Sequence, residues 1–457
     1  MLAAVRLARD EGLGVGVMAT GHGVAAPCDG GVLINTSRMR GVHVDPETSA
    51  ARVEAGAKWA DLVPEAAAHG LAGLQGSTSH VGVVGYTMGG GFGWLGRKYG
   101  FAADSVKEAD VVTAEGELVK ANAHENADLF WALKGGGGNF GVVTSLEFAL
   151  YPITHVFGRN LFYPVERAEE VLELYSGWAE DLPEEVTSAV TFLNVPPIPD
   201  VPEPLRGRSV ITVRFCYTGE DLAEKGEELL GPWRGFGEPV MDTFGVMPYE
   251  AMDMISMDPV EPLGAYGHSE MLRDLSRETR QTLMELAGAG SDTPLLMLEI
   301  RQLGGALSRP PADLSPMGRS DATYAMNGIG GHLHPRDGSS RAGVPRPLRR
   351  GVQAACDRRH LRELHGPRRR EPRAREGGLL RGGLGAAGGA EGPPRSGEPL
   401  PIQPQHPAVF GRARERYSVH DPRNLTSSVR AARSGMKCLP SEPSARGRLN
   451  WPRARSR

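Results

Sequence analysis

Val81-Gly82-Val83-Val84-Gly85-Tyr86-Thr87-Met88-Gly89-Gly90-Gly91-Phe92-Gly93-Trp94-Leu95 is the stretch on which the fold turns, because so much glycine beside so many apolar residues is not ordinary loop composition. Two further clusters flank it: Ala19-Thr20-Gly21-His22-Gly23, directly after an apolar run, and Gly135-Gly136-Gly137-Gly138-Asn139-Phe140-Gly141-Val142-Val143-Thr144. Glycine lets a backbone approach a ligand closely and turn its N–H groups onto a diphosphate. Any one cluster reads equally well as a tight turn. Three in one domain, each bordering an apolar strand, favour a large phosphate-bearing cofactor. No GxGxxG opens a βαβ unit with an acidic residue some twenty positions on, and no GxxxxGK[ST] is present, so nicotinamide Rossmann domains and nucleoside-triphosphate enzymes are both poor matches.

Around the clusters the first 150 residues alternate short strands and helices. Residues 1–10 put Leu2, Val5 and Ala8 on one helical face, and residues 15–19 and 32–36 are short apolar strands. Residues 41–56 form a hairpin turning at Asp45-Pro46-Glu47-Thr48, with Val42, Val44 and Val53 alternating, and residues 105–118 form another turning at Glu115-Gly116. Helices are predicted over 58–69 and 126–133, and a strand over 142–148 leads to a boundary at Tyr151-Pro152. Beyond it, helices over 165–180 and 222–230 alternate with strands over 188–194, 209–217 and 295–303, around a proline-rich loop at 195–204. There is no internal repeat.

The chain has 457 residues and a net charge of −4, which conceals two unlike pieces. Residues 336–457 carry 27 Lys and Arg against 10 Asp and Glu, net +17, and 26 of the 27 are arginine. The remainder is net −21. From His334 on, hydrophobic periodicity vanishes and Arg, Gly, Pro and Ser dominate, the composition of a disordered tail. Such a tail could bind nucleic-acid phosphates, but it lacks interleaved aromatics and a folded scaffold, so no nucleic-acid partner is expected. No run of eighteen apolar residues spans a membrane, and the N-terminus lacks a signal peptide's apolar core. Four scattered cysteines (Cys28, Cys216, Cys356, Cys438) form no CxxC pair, which argues against a disulfide scaffold or a cysteine-type zinc site and for a reduced, cytoplasmic setting.

The sequence Gly21-His22-Gly23, Asn35-Thr36-Ser37-Arg38-Met39, Arg52-Val53-Glu54-Ala55-Gly56, residues 85–93, Asp128-Leu129-Phe130-Trp131-Ala132-Leu133 and residues 135–144, in that order, resembles the FAD-binding domain of the berberine bridge enzyme-like oxidoreductases, in the vanillyl-alcohol-oxidase (PCMH-type) flavoprotein superfamily. The likeness covers nearly all of residues 1–152 and continues weakly to about 330, through Leu298-Glu299-Ile300-Arg301-Gln302-Leu303-Gly304-Gly305-Ala306-Leu307. It implies an α+β fold: a PCMH-type FAD-binding domain (1–152), an α/β substrate domain with an antiparallel sheet (153–333), and the disordered tail (334–457). The resemblance further implies an FAD-dependent oxidase or dehydrogenase that removes a hydride from a small organic substrate, with molecular oxygen as acceptor and a base taking the partner proton.

In that family the first-loop histidine is joined to the flavin 8α carbon, and by motif that residue is His22. Many relatives add a second bond from a cysteine; in Gly76-Ser77-Thr78-Ser79-His80-Val81-Gly82 it is Thr78 that falls there, so one covalent bond is expected. Cys28 is off register and reads as a small buried hydrophobe. The cofactor-binding set implied by the motifs is Thr20, Gly21, His22, Gly23, Thr78, Val83, Gly85, Tyr86, Gly89, Gly90, Gly91, Gly93, Gly138, Asn139, Gly141, Val142 and Val143, with no metal. His80 is a second candidate at the flavin, balanced between substrate contact and filler. Glu299 and Arg301 alternate with apolar residues on one strand and share a face, turned either to the substrate cavity or to solvent or an ion pair. The catalytic base has no assignable position.

The family ends on a segment resembling DPxNLFRxNxNI. Here residues 395–407 read Arg-Ser-Gly-Glu-Pro-Leu-Pro-Ile-Gln-Pro-Gln-His-Pro, yet the same codons read one base later are compatible with Asp-Pro-Gly-Asn-Leu-Phe-Arg-Phe-Asn-His-Asn-Ile-Pro. Likewise Leu361-Arg362-Glu363-Leu364 is compatible with Tyr-Ala-Asn-Phe, like the family's YxNF segment. A frameshift near residues 330–340 is therefore expected, which would leave the second domain incomplete and could leave the chain inactive. Relatives also carry a strand before the helix at residues 1–10, so an upstream start is expected.

Overall fold

The computed structural model describes residues 1–331 apart from 24–27, 261–264, 310–314 and 319–321. The arginine-rich tail, its expected disorder and the two frame-shifted segments lie outside the described residues.

The chain begins with α1 (Leu2–Asp10), whose Val5 packs with Ile34, Val112 and Val142 and so ties the first strands to the main sheet of this half. β1 (Val15–Met18) and β2 (Val32–Asn35) pair in parallel. β3 (Val42–Asp45) and β4 (Ala50–Glu54) form the expected hairpin; the Asp45 carboxylate accepts from the amides of Glu47 and Thr48 and fixes the turn. α2 (Trp59–Ala67) buries Trp59, Leu62, Val63 and Ala66. α3 (Val83–Met88) and α4 (Gly96–Tyr99) follow, then β5 (Val106–Val112), β6 (Leu118–Asn122), α5 (Ala127–Leu133) and β7 (Val142–Ala149). The antiparallel order β3-β4-β7-β5-β6 makes a five-stranded sheet.

The second glycine cluster departs from expectation. It borders no strand: its first half is α3, because Val83, Val84, Thr87 and Met88 recur at helical spacing and are all buried.

The second half of the described chain is one eight-stranded antiparallel sheet, ordered β11-β8-β10-β9-β14-β15-β13 with β12 beside β8. Its strands are β8 (His155–Pro164), β9 (Val186–Asn194), β10 (Ser209–Tyr217), β11 (Met241–Asp242), β12 (Gly245–Pro248), β13 (Ala265–Leu272), β14 (Leu295–Gln302) and β15 (Tyr324–Gly331). α6 (Ala168–Glu180), α7 (Leu222–Phe236) and α9 (Arg277–Ala287) cover one face, burying Tyr175, Trp233 and Leu283 against Val190, Val213, Phe215 and Ile300. α7 runs past its expected end despite Pro232, since continuing it buries Trp233 beside Leu230, a side chain of that size contributing ~1.5–3 kcal/mol.

The opposite face of the sheet is polar. Asn160, Arg214, Ala189, Arg301 and Ala325 form one cross-strand row, and Thr212, Thr191, Glu299 and Asn327 the next on the same side. At one end Ala189 and Cys216 pack with Trp94, Met252 and Ile255, where α8 (Asp253–Ser256) lies, so the five-stranded and eight-stranded regions share a hydrophobic core. That shared core brings the polar face up to the segment just before the second glycine cluster.

Candidate cofactor site

The three clusters form one continuous wall. A Cβ placed on Gly82 would lie 3.3 Å from the Ala19 Cβ and 3.8 Å from the Thr20 Oγ1, so the second cluster backs onto the first. The Gly137 N–H donates to the Met88 carbonyl at 3.0 Å, joining the third cluster to the end of α3.

The glycines of the wall fall into two groups by what surrounds them. A Cβ on Gly93 would lie 2.0 Å from the Gln75 carbonyl oxygen, on Gly91 2.6 Å from the Tyr86 ring and the Ala102 Cβ, and on Gly141 2.6 Å from Val111 Cγ1. These are glycine because their own protein leaves no room. Gly90 has φ +108° and a Cβ there would meet Met317. Gly85 and Gly138 are different: a Cβ on either would meet nothing within 4 Å among the described residues, neither has positive φ, and both are exposed. Gly23 likewise faces open space. Bare backbone with no internal reason for glycine, on a wall built from three converging loops, fits a cofactor that lies close against the main chain.

The remaining motif residues divide similarly. Gly21, which has φ +83°, and His22 are exposed at the end of β1, while Thr20 is half-buried. Gly89, Asn139 and Phe140 are exposed beside the open wall. Thr78 is buried, and its hydroxyl accepts from the His80 amide at 3.4 Å. Val83, Val142 and Val143 are core residues, and the Val83 N–H is already committed to the Ala57 carbonyl at 2.9 Å. Tyr86 turns inward against Trp59 at 5.7 Å between ring centres; burial pushes its phenol well up and its hydroxyl has no partner among the described residues. Cys28 is half-buried beside Gly16 and Gly31.

His80, half-buried, lies in the loop ahead of α3. That loop is gripped from the eight-stranded sheet. Arg301 donates to the Ser77 hydroxyl at 3.2 Å, while the Ser79 amide donates to the Asp253 carboxylate at 2.8 Å and the Ser79 hydroxyl donates to its other oxygen. The Tyr249 hydroxyl donates to the Gly73 carbonyl, and Trp94 Nε1 to the Ser256 hydroxyl at 3.1 Å.

Glu299 and Arg301 are buried and ion-paired at 2.7 Å, so of the face's two solvent-side alternatives the pairing is present and the solvation is not. Arg301 stacks on Trp94, 4.1 Å from its ring centre, and Glu299 also pairs with the buried Arg214 at 3.4 Å. The Arg214 Nη2 and Arg301 Nε atoms have no hydrogen-bond partner among the described residues. Burial pushes the carboxyl of nearby Asp258 up, against the opposing pull of Arg214. Sequence reasoning did not find Asp253, Ser77 or Ser79. Nothing local marks Asp253, which lies 174 positions from the serine it holds.

An open, glycine-lined wall thus stands next to a helix-backed antiparallel sheet. Residues 1–122 match the family described as the FAD binding domain. The chain is 29% identical over 314 residues to an FAD-linked oxidoreductase of Dictyostelium discoideum, covering 68% of this chain and 66% of that protein. It is 34% identical over 250 residues to the (R)-6-hydroxynicotine oxidase of Paenarthrobacter nicotinovorans, covering 54% and 52%. The chain thus spans from about half to just under two thirds of the length of these relatives. Among solved structures it is similar to 6-hydroxy-D-nicotine oxidase from Arthrobacter nicotinovorans (TM-score 0.61, 24% identity, 79% of this chain and 77% of that one) and to the carbohydrate oxidase from Microdochium nivale (TM-score 0.63, 21%, 78% and 76%). At these identities the structural likeness speaks for the fold. No described helix is long and apolar enough to cross a membrane.

Proposed function

We propose that this chain is an FAD-dependent oxidoreductase that removes a hydride from a small organic substrate such as a sugar, an alcohol or a secondary metabolite, with the flavin held covalently through His22 alone. The observation that carries the reading is the pair Gly85 and Gly138, glycines their own protein does not require, on the wall where three clusters meet. Bound FAD supplies a hydride acceptor, and a histidyl tether makes it a stronger oxidant by withdrawing electron density.

The chain's own residues do the rest. Thr20, Gly21 and Gly23 offer backbone around His22; Gly85, Gly89, Gly90, Gly138 and Asn139 line the wall; Val142 and Val143 contribute main chain at the start of β7. Thr78 in place of a second tether leaves one bond. His80, in the loop ahead of α3, is the proposed substrate contact, and the Arg301–Glu299 pair borders the same loop from the sheet. Molecular oxygen is the proposed acceptor, which accords with relatives named as oxidases. The two domains meet near residue 152, between β7 and β8, and the cytoplasm is the proposed setting.

A second reading is favoured by the arginine-rich sequence after residue 334: a frameshifted chain that lacks the family's closing segment and its catalytic base, and so is inactive. Purified protein decides between the two. The active reading expects yellow protein whose colour stays with the acid-precipitated chain, and His22→Ala protein that releases it; colourless, aggregated protein would favour the second.

A further inference from the structure

We propose that Asp253 and Arg301 are positioning residues that brace residues 77–79 from both sides and so fix the loop carrying His80 against the cofactor wall. The inference rests on the flavin reading above. Ser77 and Ser79 are two positions apart and are held by opposite charges: Arg301 on β14 donates to the Ser77 hydroxyl, and Asp253 on α8 accepts from the Ser79 amide and hydroxyl. A carboxylate that takes a backbone N–H and a side-chain O–H from one residue fixes that residue's main chain as well as its rotamer, and charge-assisted bonds are the strong ones.

Both anchors are themselves held. Arg301 is clamped between Glu299 at 2.7 Å and the Trp94 ring at 4.1 Å, and has little rotamer freedom left. Asp253 opens α8, whose Ser256 is tied to Trp94 and whose Ile255 carbonyl accepts from buried Asn160 at 2.9 Å. Trp94 therefore touches Arg301 and the helix that carries Asp253, and it directly follows the last glycine of the second cluster. Gln75 Nε2 adds a longer contact to Asp253 at 3.5 Å. The segment between the braced serines is Thr78, with His80 immediately after and the wall beginning at Gly82. Loosening either brace frees the backbone that leads into the wall, without removing any group that lines it.

The test is amide hydrogen exchange at residues 77–80 in the full chain, with and without FAD, together with visible circular dichroism of the flavin and steady-state kinetics. Asp253→Ala is expected to speed exchange of the Ser79 amide about tenfold or more, to shift the flavin dichroism, and to lower kcat about tenfold with KM changed less than twofold. Asp253→Asn, which keeps a carbonyl acceptor, is expected to restore most of the protection. Unchanged Ser79 exchange in Asp253→Ala would overturn the brace, and faster exchange with unmoved flavin dichroism would overturn its link to the cofactor. If Asp253→Ala does not fold, Ser79→Ala removes the hydroxyl bond and keeps the amide bond to Asp253; it is then read by the flavin dichroism and by exchange of the Thr78 and His80 amides, and no change in either would overturn the brace. If the wild-type chain takes up no FAD, the cofactor reading fails by itself, and the exchange comparison still decides the brace.

Discussion

Gly93 is packed so closely on Gln75 that a Cβ would fall 2.0 Å from the Gln75 carbonyl oxygen, whereas Gly85, eight residues earlier in the same cluster, faces open space. Two alanine substitutions in one motif should therefore fail differently. Gly93→Ala must move backbone and is expected to destabilise the protein by about 3 kcal/mol or more. Gly85→Ala, in the middle of α3, should leave stability unchanged or raise it by up to ~1 kcal/mol, yet weaken FAD retention at least tenfold. Denaturant melts paired with flavin content per chain check both.

Arg97 is a buried guanidinium whose Nη1 donates to the carbonyls of Pro183 and Val186 and to Gln302 Oε1, and whose Nη2 donates to the Leu182 carbonyl. Arg97→Met removes a staple between α4 and the eight-stranded sheet and takes one donor from each of four acceptors, two of which, the Pro183 carbonyl and Gln302 Oε1, keep a second donor in the Val186 amide and the Ser188 hydroxyl. A loss of about 3 kcal/mol is expected, read as a shift in the urea midpoint.

Asp258 gives a pH signature. Burial raises its carboxyl above the ordinary value, so the folded chain holds that proton more tightly than the unfolded chain. Its contribution is thus most favourable below the unfolded pKa and is lost as pH rises through the folded one. Asp258→Asn should melt like wild type near pH 4 and progressively above it as pH rises toward 7. A variant less stable than wild type at pH 7 would mean that attraction to Arg214 dominates.

The arginine-rich tail carries a prediction about the gene. Nucleotide sequencing across codons 330–340 of an independent source is expected to show a one-base change that restores Asp-Pro-Gly-Asn-Leu-Phe-Arg-Phe-Asn-His-Asn-Ile-Pro in frame. A sequence that keeps the present frame there would remove the frameshift.

Where periodicity was clean, the fold was legible. The hairpin at Asp45 to Thr48, the helix with Val5 and Ala8 buried, and strand Ser209–Tyr217 all form from local pattern and turn chemistry. α3 was not legible, because its glycines hide a helical spacing that is set by burial of Val83, Val84, Thr87 and Met88. β8 and β15 likewise lacked a local signal: Tyr324, Met326 and Gly328 face the helices, and the smallness of Gly328 breaks the apolar alternation. At the site, motifs named the wall but could not separate Gly93, needed by its own fold, from Gly85, needed by none of its neighbours. The contacts of Ser77 and Ser79 join residues 224 and 174 positions apart, a distance at which sequence pattern carries no information.

Peptide mass spectrometry of the denatured, protease-digested protein tests the central claim most directly. The account predicts that the peptide containing His22 carries the added mass of a flavin nucleotide and its visible absorbance, and that no other peptide does. An unmodified His22 peptide from protein that is yellow when folded would contradict the tether.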